Sequence, residues 1–95
     1  MASPYARTFL VESYVPRLDE AKAAVFSSRI RAAIDELRRE GCALEWLRAL
    51  ALVDEETYVW MLTAVDVDDI ALVNQRARVS SDHVVEVVAS ESSRE

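Results

Sequence analysis

Few side chains in this sequence of 95 residues are of types that could do chemistry unaided. With one histidine, His83, and one cysteine, Cys42, the chain has neither the ligand spacing of a zinc site nor the partner for an intramolecular disulfide. One glycine, Gly41, cannot build a phosphate-binding loop. No nucleophile-elbow motif surrounds Ser80 or Ser81. The remaining candidates are charged residues inside apolar segments: Glu12, Arg48 and Glu86.

These three charged residues are the candidates for catalysis. Two carboxylates that lie close together can differ in protonation, so Glu12 and Glu86 could serve as acid and base or hold a hard metal ion. Arg48 would then stabilise a developing oxyanion. A structural ion pair between Arg48 and a carboxylate is the simpler interpretation, and it is the one that the sequence favours.

His83 and Cys42 also have simple interpretations. A lone histidine at the start of a strand is typical of a surface or interface residue. His83 would ligate a metal only if a dimer brought two copies together. Cys42 directly follows a predicted helix and is best explained as a structural thiol, with redox sensing as the alternative.

A short series of strands and helices must position these residues. Residues 8–15 are rich in β-branched and aromatic side chains and stop at Pro16, which predicts a strand. Asp19 is predicted to cap a helix that runs to about Glu40, with Gly41 after its end. A second helix, capped by Asp66, precedes the last strand. The other predicted strands are residues 44–53, 57–64 and 84–88.

The order β-α-β-β-α-β predicts a ferredoxin-like α+β fold. In this fold a four-stranded antiparallel sheet carries both helices on one face. A chain of this length forms one domain. We expect an ordered core of about 7–89 within the single domain 1–95, followed by a polar C-terminal tail at 90–95.

Side chains alternate between the two faces of each strand, so the sequence also predicts what each face carries. In each strand, every second residue belongs to one set. The set of medium-sized apolar residues is expected beneath the helices: Phe9, Val11, Leu47, Ala49, Ala51, Val59, Met61, Val85 and Val87. The alternate set is expected on the face without helices: Leu10, Glu12, Tyr14, Leu44, Trp46, Arg48, Leu50, Leu52, Tyr58, Trp60, Leu62, Val84, Glu86 and Val88.

An apolar and aromatic face of this size is not left in water by a soluble monomer. We therefore expect a homodimer in which two sheets pack face to face as a dimeric α/β barrel. The space between the sheets would hold a small molecule, because an apolar wall with a few polar groups is typical of ligand pockets. The predicted ligand-binding residues are Glu12, Tyr14, Trp46, Arg48, Tyr58, Trp60 and Glu86.

Charge and hydropathy restrict the partners. Seventeen acidic residues against eleven basic ones give a net charge of −6, which repels nucleic acid and anionic membranes. The arginines of the first helix are interleaved with carboxylates and form no basic patch. The sequence has no apolar N-terminal leader and no apolar run of about 20 residues that could span a membrane. A cytoplasmic protein is expected.

Several segments together resemble a family of small bacterial ferredoxin-like proteins, a domain of unknown function that includes a nickel-binding member. The matching segments are residues 9–16, Phe-Leu-Val-Glu-Ser-Tyr-Val-Pro, with 44–48, 57–64, 74–77 and 82–87, and they cover nearly the whole chain from 9 to 88. The resemblance implies the ferredoxin-like fold and a homodimer. It also supports Glu12, Trp46 and Glu86 as positions that follow the family pattern.

Two departures from that family bear on nickel. Its third strand usually carries a cysteine where this sequence has Trp60, and its Gly-Leu-Pro before the last strand is here Arg78-Val-Ser80. Without that cysteine, and with one histidine, the chain is poor in the ligands that soft metals prefer. No cofactor is expected, and a small molecule is favoured over a metal such as nickel.

Two other functions stay open. The first is a cofactor-independent monooxygenase or isomerase of the dimeric α/β-barrel kind, an analogy that rests on fold. Glu12 or Glu86 would transfer the proton in such an enzyme. The second is a structural module whose sheet face only dimerises.

Overall fold

The computed structural model describes residues 6–88, which form four strands and two helices. The predicted polar tail at 90–95 lies outside the described residues. Each strand and the first helix lie within three residues of their predicted start and end, and the second helix starts within three residues of its predicted cap. The elements are β1 (Arg7–Tyr14), α1 (Glu20–Arg39), β2 (Glu45–Leu52), β3 (Thr57–Ala64), α2 (Asp68–Ala77) and β4 (His83–Val87).

The four strands form one antiparallel sheet in the order β2-β3-β1-β4. The first and third strands are therefore central, and the second and fourth lie at the edges. With both helices packed on one side, this arrangement confirms the predicted ferredoxin-like α+β fold.

Both ends of α1 form as the sequence predicts. The Asp19 carboxylate accepts a hydrogen bond of 2.8 Å from the Lys22 amide, which satisfies one of the free N–H groups of the first turn. Gly41 follows the helix with a φ of 104°, a backbone conformation that side chains disfavour. These two residues fix where the first helix starts and stops.

The α2 helix starts two residues after its predicted cap. The Asp66 carboxylate still accepts a hydrogen bond of 3.0 Å, from the Asp68 amide, but Val67 is the N-cap residue. At the other end, the Arg29 guanidinium of α1 donates to the carbonyls of Ala77 and Arg78 at 3.0 and 2.7 Å. A side chain of one helix thus closes the C-terminus of the other.

Ion pairs also join the two helices on their outer surface. The Arg76 guanidinium lies 3.0 Å from the Glu36 carboxylate and 2.8 Å from that of Glu40. The hydrogen bond from Arg76 lowers the pKa of Glu40. All three side chains are partly solvated, so the pairs orient the helices more than they stabilise them.

The core lies between the sheet and the helices, and it corrects the prediction for β3. Tyr58, Trp60 and Leu62 were expected on the uncovered face, yet they are at most 1% exposed and pack beneath the helices. Small residues explain this placement, because Ala49 of β2 is the cross-strand partner of Trp60. Ala51 is likewise the partner of Tyr58. The alanines leave room for aromatic rings, so the largest side chains fill the core.

An irregularity in β2 corrects the prediction for Trp46. The register with β3 shifts between Trp46 and Arg48, so Leu47 is an extra residue and the two flanking side chains point to opposite faces. Trp46 therefore joins the helix-covered side, where its ring stacks on Trp60 with centroids 6.3 Å apart. Leu44, also predicted for the uncovered face, is buried in the same core.

Candidate functional site

We call the side of the sheet without helices the uncovered face. Its members follow from the strand registers, since cross-strand partners lie on the same side of a sheet. They are Thr8, Leu10, Glu12 and Tyr14 of β1; Glu45, Arg48, Leu50 and Leu52 of β2; Thr57, Val59, Met61 and Thr63 of β3; and His83, Val85 and Val87 of β4.

Four residues occupy the centre of the uncovered face. On the two central strands Leu10 lies opposite Met61, and Glu12 lies opposite Val59. Val59 is 8% exposed, although no helix covers it. Glu12 is the one charged residue of the four, so a carboxylate lies at the middle of an apolar surface.

On the uncovered face, the basic side chain nearest to Glu12 is that of His83. The two residues are cross-strand neighbours, and the His83 Nδ1 lies 3.8 Å from the Glu12 Oε1. That separation is too long for a hydrogen bond. Both side chains keep substantial contact with solvent, so this pair adds little stability.

Arg48 lies on the same face but apart from Glu12. It is opposite Met61 on the edge strand β2, so β3 separates it from Glu12. A strand spacing of about 4.8 Å and one step of two residues along the strand place the two Cα atoms roughly 12 Å apart. Among residues 6–88 Arg48 forms no ion pair.

Glu86 does not lie near Glu12, contrary to the expectation. Although β1 and β4 are neighbours, Glu12 is opposite His83, whereas Glu86 is opposite Phe9 on the helix-covered side. The Glu86 carboxylate points outward at the sheet edge and lies 3.4 Å from the Arg7 guanidinium. The same register moves Val85 and Val87 to the uncovered face, against the prediction.

Tyr14 lies at one end of the uncovered face and is 58% exposed. Its amide donates to the Asp82 carboxylate at 2.6 Å, and its hydroxyl donates to the Glu56 carboxylate at 3.1 Å. That hydrogen bond raises the pKa of Tyr14. A hydrogen bond from the Arg17 amide, 2.6 Å long, is the main cause that lowers the pKa of Glu56. These contacts tie the β2–β3 turn to the end of β1.

The predicted aromatic residues of the site are thus not together. Tyr14 is on the uncovered face, whereas Trp46, Tyr58 and Trp60 are on the other side of the sheet. The Tyr58 hydroxyl lies 2.5 Å from that of Ser27, and burial raises the pKa of Tyr58. The Trp60 Nε1 is buried and finds no hydrogen-bond partner among residues 6–88.

Metal ligands do not cluster in the described part of the chain. Residues 6–88 contain no group of three or more histidine, cysteine, aspartate or glutamate side chains that could hold a metal ion. Cys42 is half-buried and packs against the core. Neither of the helices in this range is apolar enough over a sufficient length to cross a membrane.

Sequence reasoning missed part of the apolar surface of the candidate site. Leu10, Leu50 and Leu52 were predicted on the uncovered face and lie there, whereas Val59, Met61 and Val85 were expected beneath the helices and also lie on the uncovered face. A usable signal was present in β2, where Ala49 and Ala51 alternate with Arg48, Leu50 and Leu52. Together with the pairing of Ala49 with Trp60 and of Ala51 with Tyr58, these alanines place both rings in the core.

The comparison with solved structures finds the same fold. The crystal structure of SCO4226 from Streptomyces coelicolor A3(2) is similar to this chain, with a TM-score of 0.75 over 88% of this chain and 99% of that one. The two sequences are 14% identical, so the likeness shows the fold alone. No family model matches the sequence, and no curated protein is similar to it. Homodimerisation, which the family resemblance implied, stays a prediction, and so does the preference for a small molecule over a metal such as nickel.

Proposed function

We propose that this protein is a homodimeric binding protein that holds a small organic molecule between two sheets. One observation carries the proposal: the uncovered face has an apolar centre and contains few charged groups. Leu50 and Leu52 are 50% and 43% exposed there, and Leu10, Met61 and Val85 are partly exposed. Apolar walls with a few polar groups are the usual lining of ligand sites.

The size of the uncovered face supports a second copy as its cover. Four strands about 4.8 Å apart and about 3.4 Å long per residue give a sheet area of roughly 500 Å². Two such faces together bury about 1,000 Å², the lower limit of a specific interface. The chain is a slab with extents of 39 × 38 × 19 Å, so its broad side offers the largest surface for pairing.

The enzyme alternative receives less support. It needed a carboxylate with a perturbed protonation state and an arginine close to it. Glu86 lies on the other side of the sheet, and Arg48 is separated from Glu12 by a strand. A binding function is therefore favoured, because it does not require Glu12, Glu86 and Arg48 to lie close together.

The variant Leu50→Arg tests the pairing. A charge at this apolar position should weaken the dimer roughly 30-fold or more, because losing an apolar contact and placing a charge in the interface costs about 2 kcal/mol. Sedimentation velocity over a concentration series measures the effect. The control is Leu72→Arg on α2, since Leu72 is 43% exposed and lies away from the sheet.

The control variant should dimerise as the wild type does, and both variants should keep their circular dichroism spectra. A wild-type chain that sediments as a monomer at all concentrations contradicts the proposal. A dimer that never carries a ligand mass in native mass spectrometry supports the structural module instead. The same spectra would reveal a stoichiometric metal such as nickel.

A further inference from the structure

We infer that the ligand of the dimer is an organic cation, an ammonium group on an apolar body, held between the two Glu12 carboxylates. The inference rests on the proposed function. Its starting point is the position of Glu12, one of the four residues at the centre of the uncovered face. A central residue of a symmetric interface lies close to its own copy.

The strand registers bring the two Glu12 residues close for each of two simple placements of the two-fold axis through the middle of the uncovered face. Packed sheets lie about 10 Å apart, and a two-fold axis along the strands offsets the two Glu12 Cα atoms by one strand spacing of about 4.8 Å. An axis across the strands offsets them by two residues, about 6.8 Å. Either arrangement separates the Cα atoms by roughly 11–12 Å. Two glutamate side chains pointing toward each other span most of that gap.

Other charged groups are farther away across the interface. On the same grid the partner's Arg48 and the partner's His83 lie roughly 13–14 Å from Glu12, Cα to Cα. Both are on edge strands, where their side chains can remain in water. By Cα position, the nearest charged residue across the interface is therefore the second Glu12.

Two facing carboxylates are costly in this environment. On its own sheet Glu12 lies between Val59 and His83, with Leu10 and Met61 beside them, and the partner sheet supplies a second apolar set. Like charges in apolar surroundings repel strongly, and desolvation adds to the cost. The His83 ring of the same chain is 63% exposed and lies 3.8 Å from the Glu12 carboxylate, too far for a hydrogen bond to it.

A cationic ligand removes this cost. An ammonium group between two carboxylates forms charge-assisted hydrogen bonds with both, which are stronger than neutral ones. The leucine, valine and methionine side chains then contact the apolar body of the ligand. The expected stoichiometry is one ligand per dimer, because both carboxylates serve the same cation.

Benzylamine and benzyl alcohol are suitable probes, since they share an aromatic body and differ in charge. Isothermal titration calorimetry of the wild-type dimer should show benzylamine binding at one per dimer and at least about ten-fold tighter than benzyl alcohol. Glu12→Gln should abolish that preference. Its dimer should be at least as stable as the wild type, because the repulsion is gone.

Glu45→Gln is the matched control. It removes the same charge from the same face, at the outer end of β2, and should leave the preference for benzylamine unchanged. Equal binding of the two probes, or a preference that survives Glu12→Gln, overturns the inference. So does binding of Mg²⁺ or Zn²⁺ alone that Glu12→Gln abolishes while benzylamine does not bind.

Arg48→Gln completes the design. If it weakens the dimer about as much as Leu50→Arg does and benzylamine does not bind, the partner's Arg48 is the counterion and the inference is wrong. Sedimentation of the same samples separates the two proposals. A monomer contradicts the proposed function itself, whereas a dimer indifferent to the charge of the probe contradicts the ligand class alone.

Discussion

The two faces of the sheet use the same strands for different purposes. Beneath the helices the strands contribute Trp60, Tyr58 and Leu62, none of which is more than 1% exposed. On the uncovered face they contribute mid-sized apolar residues interrupted by Glu12, Glu45 and Arg48. The difference shows that the core of this domain is built from its largest side chains. The uncovered face differs from the core in carrying charged residues among smaller apolar ones.

Within β3, residues that stabilise the fold alternate with residues that are available for binding. Successive residues of β3 point to opposite sides, so a core residue and a surface residue are direct neighbours in the sequence. Folding of the monomer should depend on one set, and association should depend on the other. Adjacent residues can therefore test the distinction.

The largest expected difference is between Trp60→Ala and Met61→Ala. Trp60 is fully buried, so its truncation should cost about 3–5 kcal/mol of unfolding free energy. Met61 is partly exposed on the uncovered face, and its truncation should cost the monomer about 1 kcal/mol or less. Urea unfolding at low protein concentration measures both. Equal losses would show that the two faces do not differ in this way.

A smaller difference is expected between two tyrosine hydroxyls, one on each face. Tyr58→Phe removes a buried hydrogen bond to Ser27 and should cost about 1 kcal/mol. Tyr14→Phe removes an exposed hydrogen bond to Glu56 and should cost only a few tenths of a kcal/mol. Unfolding at neutral pH measures both, and a larger loss for Tyr14→Phe would contradict the comparison.

The smallest effect is expected in the β2–β3 turn, where the Glu56 carboxylate accepts hydrogen bonds from Tyr14 and Arg17. Its pKa is lower in the folded state than its ordinary value of 4.5, mainly because the Arg17 amide donates to the carboxylate. The stabilisation is therefore complete well above pH 4.5 and is lost as the pH falls through the lowered folded-state pKa. Glu56→Gln should flatten the loss of stability on acidification.

The control for Glu56→Gln is Glu55→Gln in the same turn. It should leave the acid dependence of the melting temperature as in the wild type. An acid dependence that Glu56→Gln does not change would mean that the hydrogen bond from Arg17 contributes no stability.

Element boundaries were accessible from the sequence because local chemistry sets them. Asp19 supplies the cap of α1, and Gly41 supplies the positive φ that follows it. The strand at Thr57–Ala64 was predicted at the bounds it has, because β-branched and aromatic residues fill it. These signals act within a few residues and need no knowledge of the rest of the fold.

The faces were not accessible in the same way, because they depend on partners distant in sequence. Both alternating sets of residues in β3 are apolar, so nothing within that strand indicates which of its two sides the helices cover. The register shift between Trp46 and Arg48 inverts the alternation of β2 at a point that the sequence does not mark. Glu12 and Arg48 were placed on the uncovered face correctly, while Glu86 was not, since its side follows from the pairing with Phe9.

The register shift in β2 has a consequence for self-assembly. Edge strands with regular free N–H and C=O groups can recruit further strands and grow into fibrils. β2 is a long, apolar edge strand, yet the extra Leu47 breaks its regular spacing near the middle. A second chain cannot hydrogen-bond along its whole length, because irregular edges are poor templates for added strands. The same irregularity that directs Trp46 into the core therefore makes β2 a poorer template for an added strand than a regular edge would be.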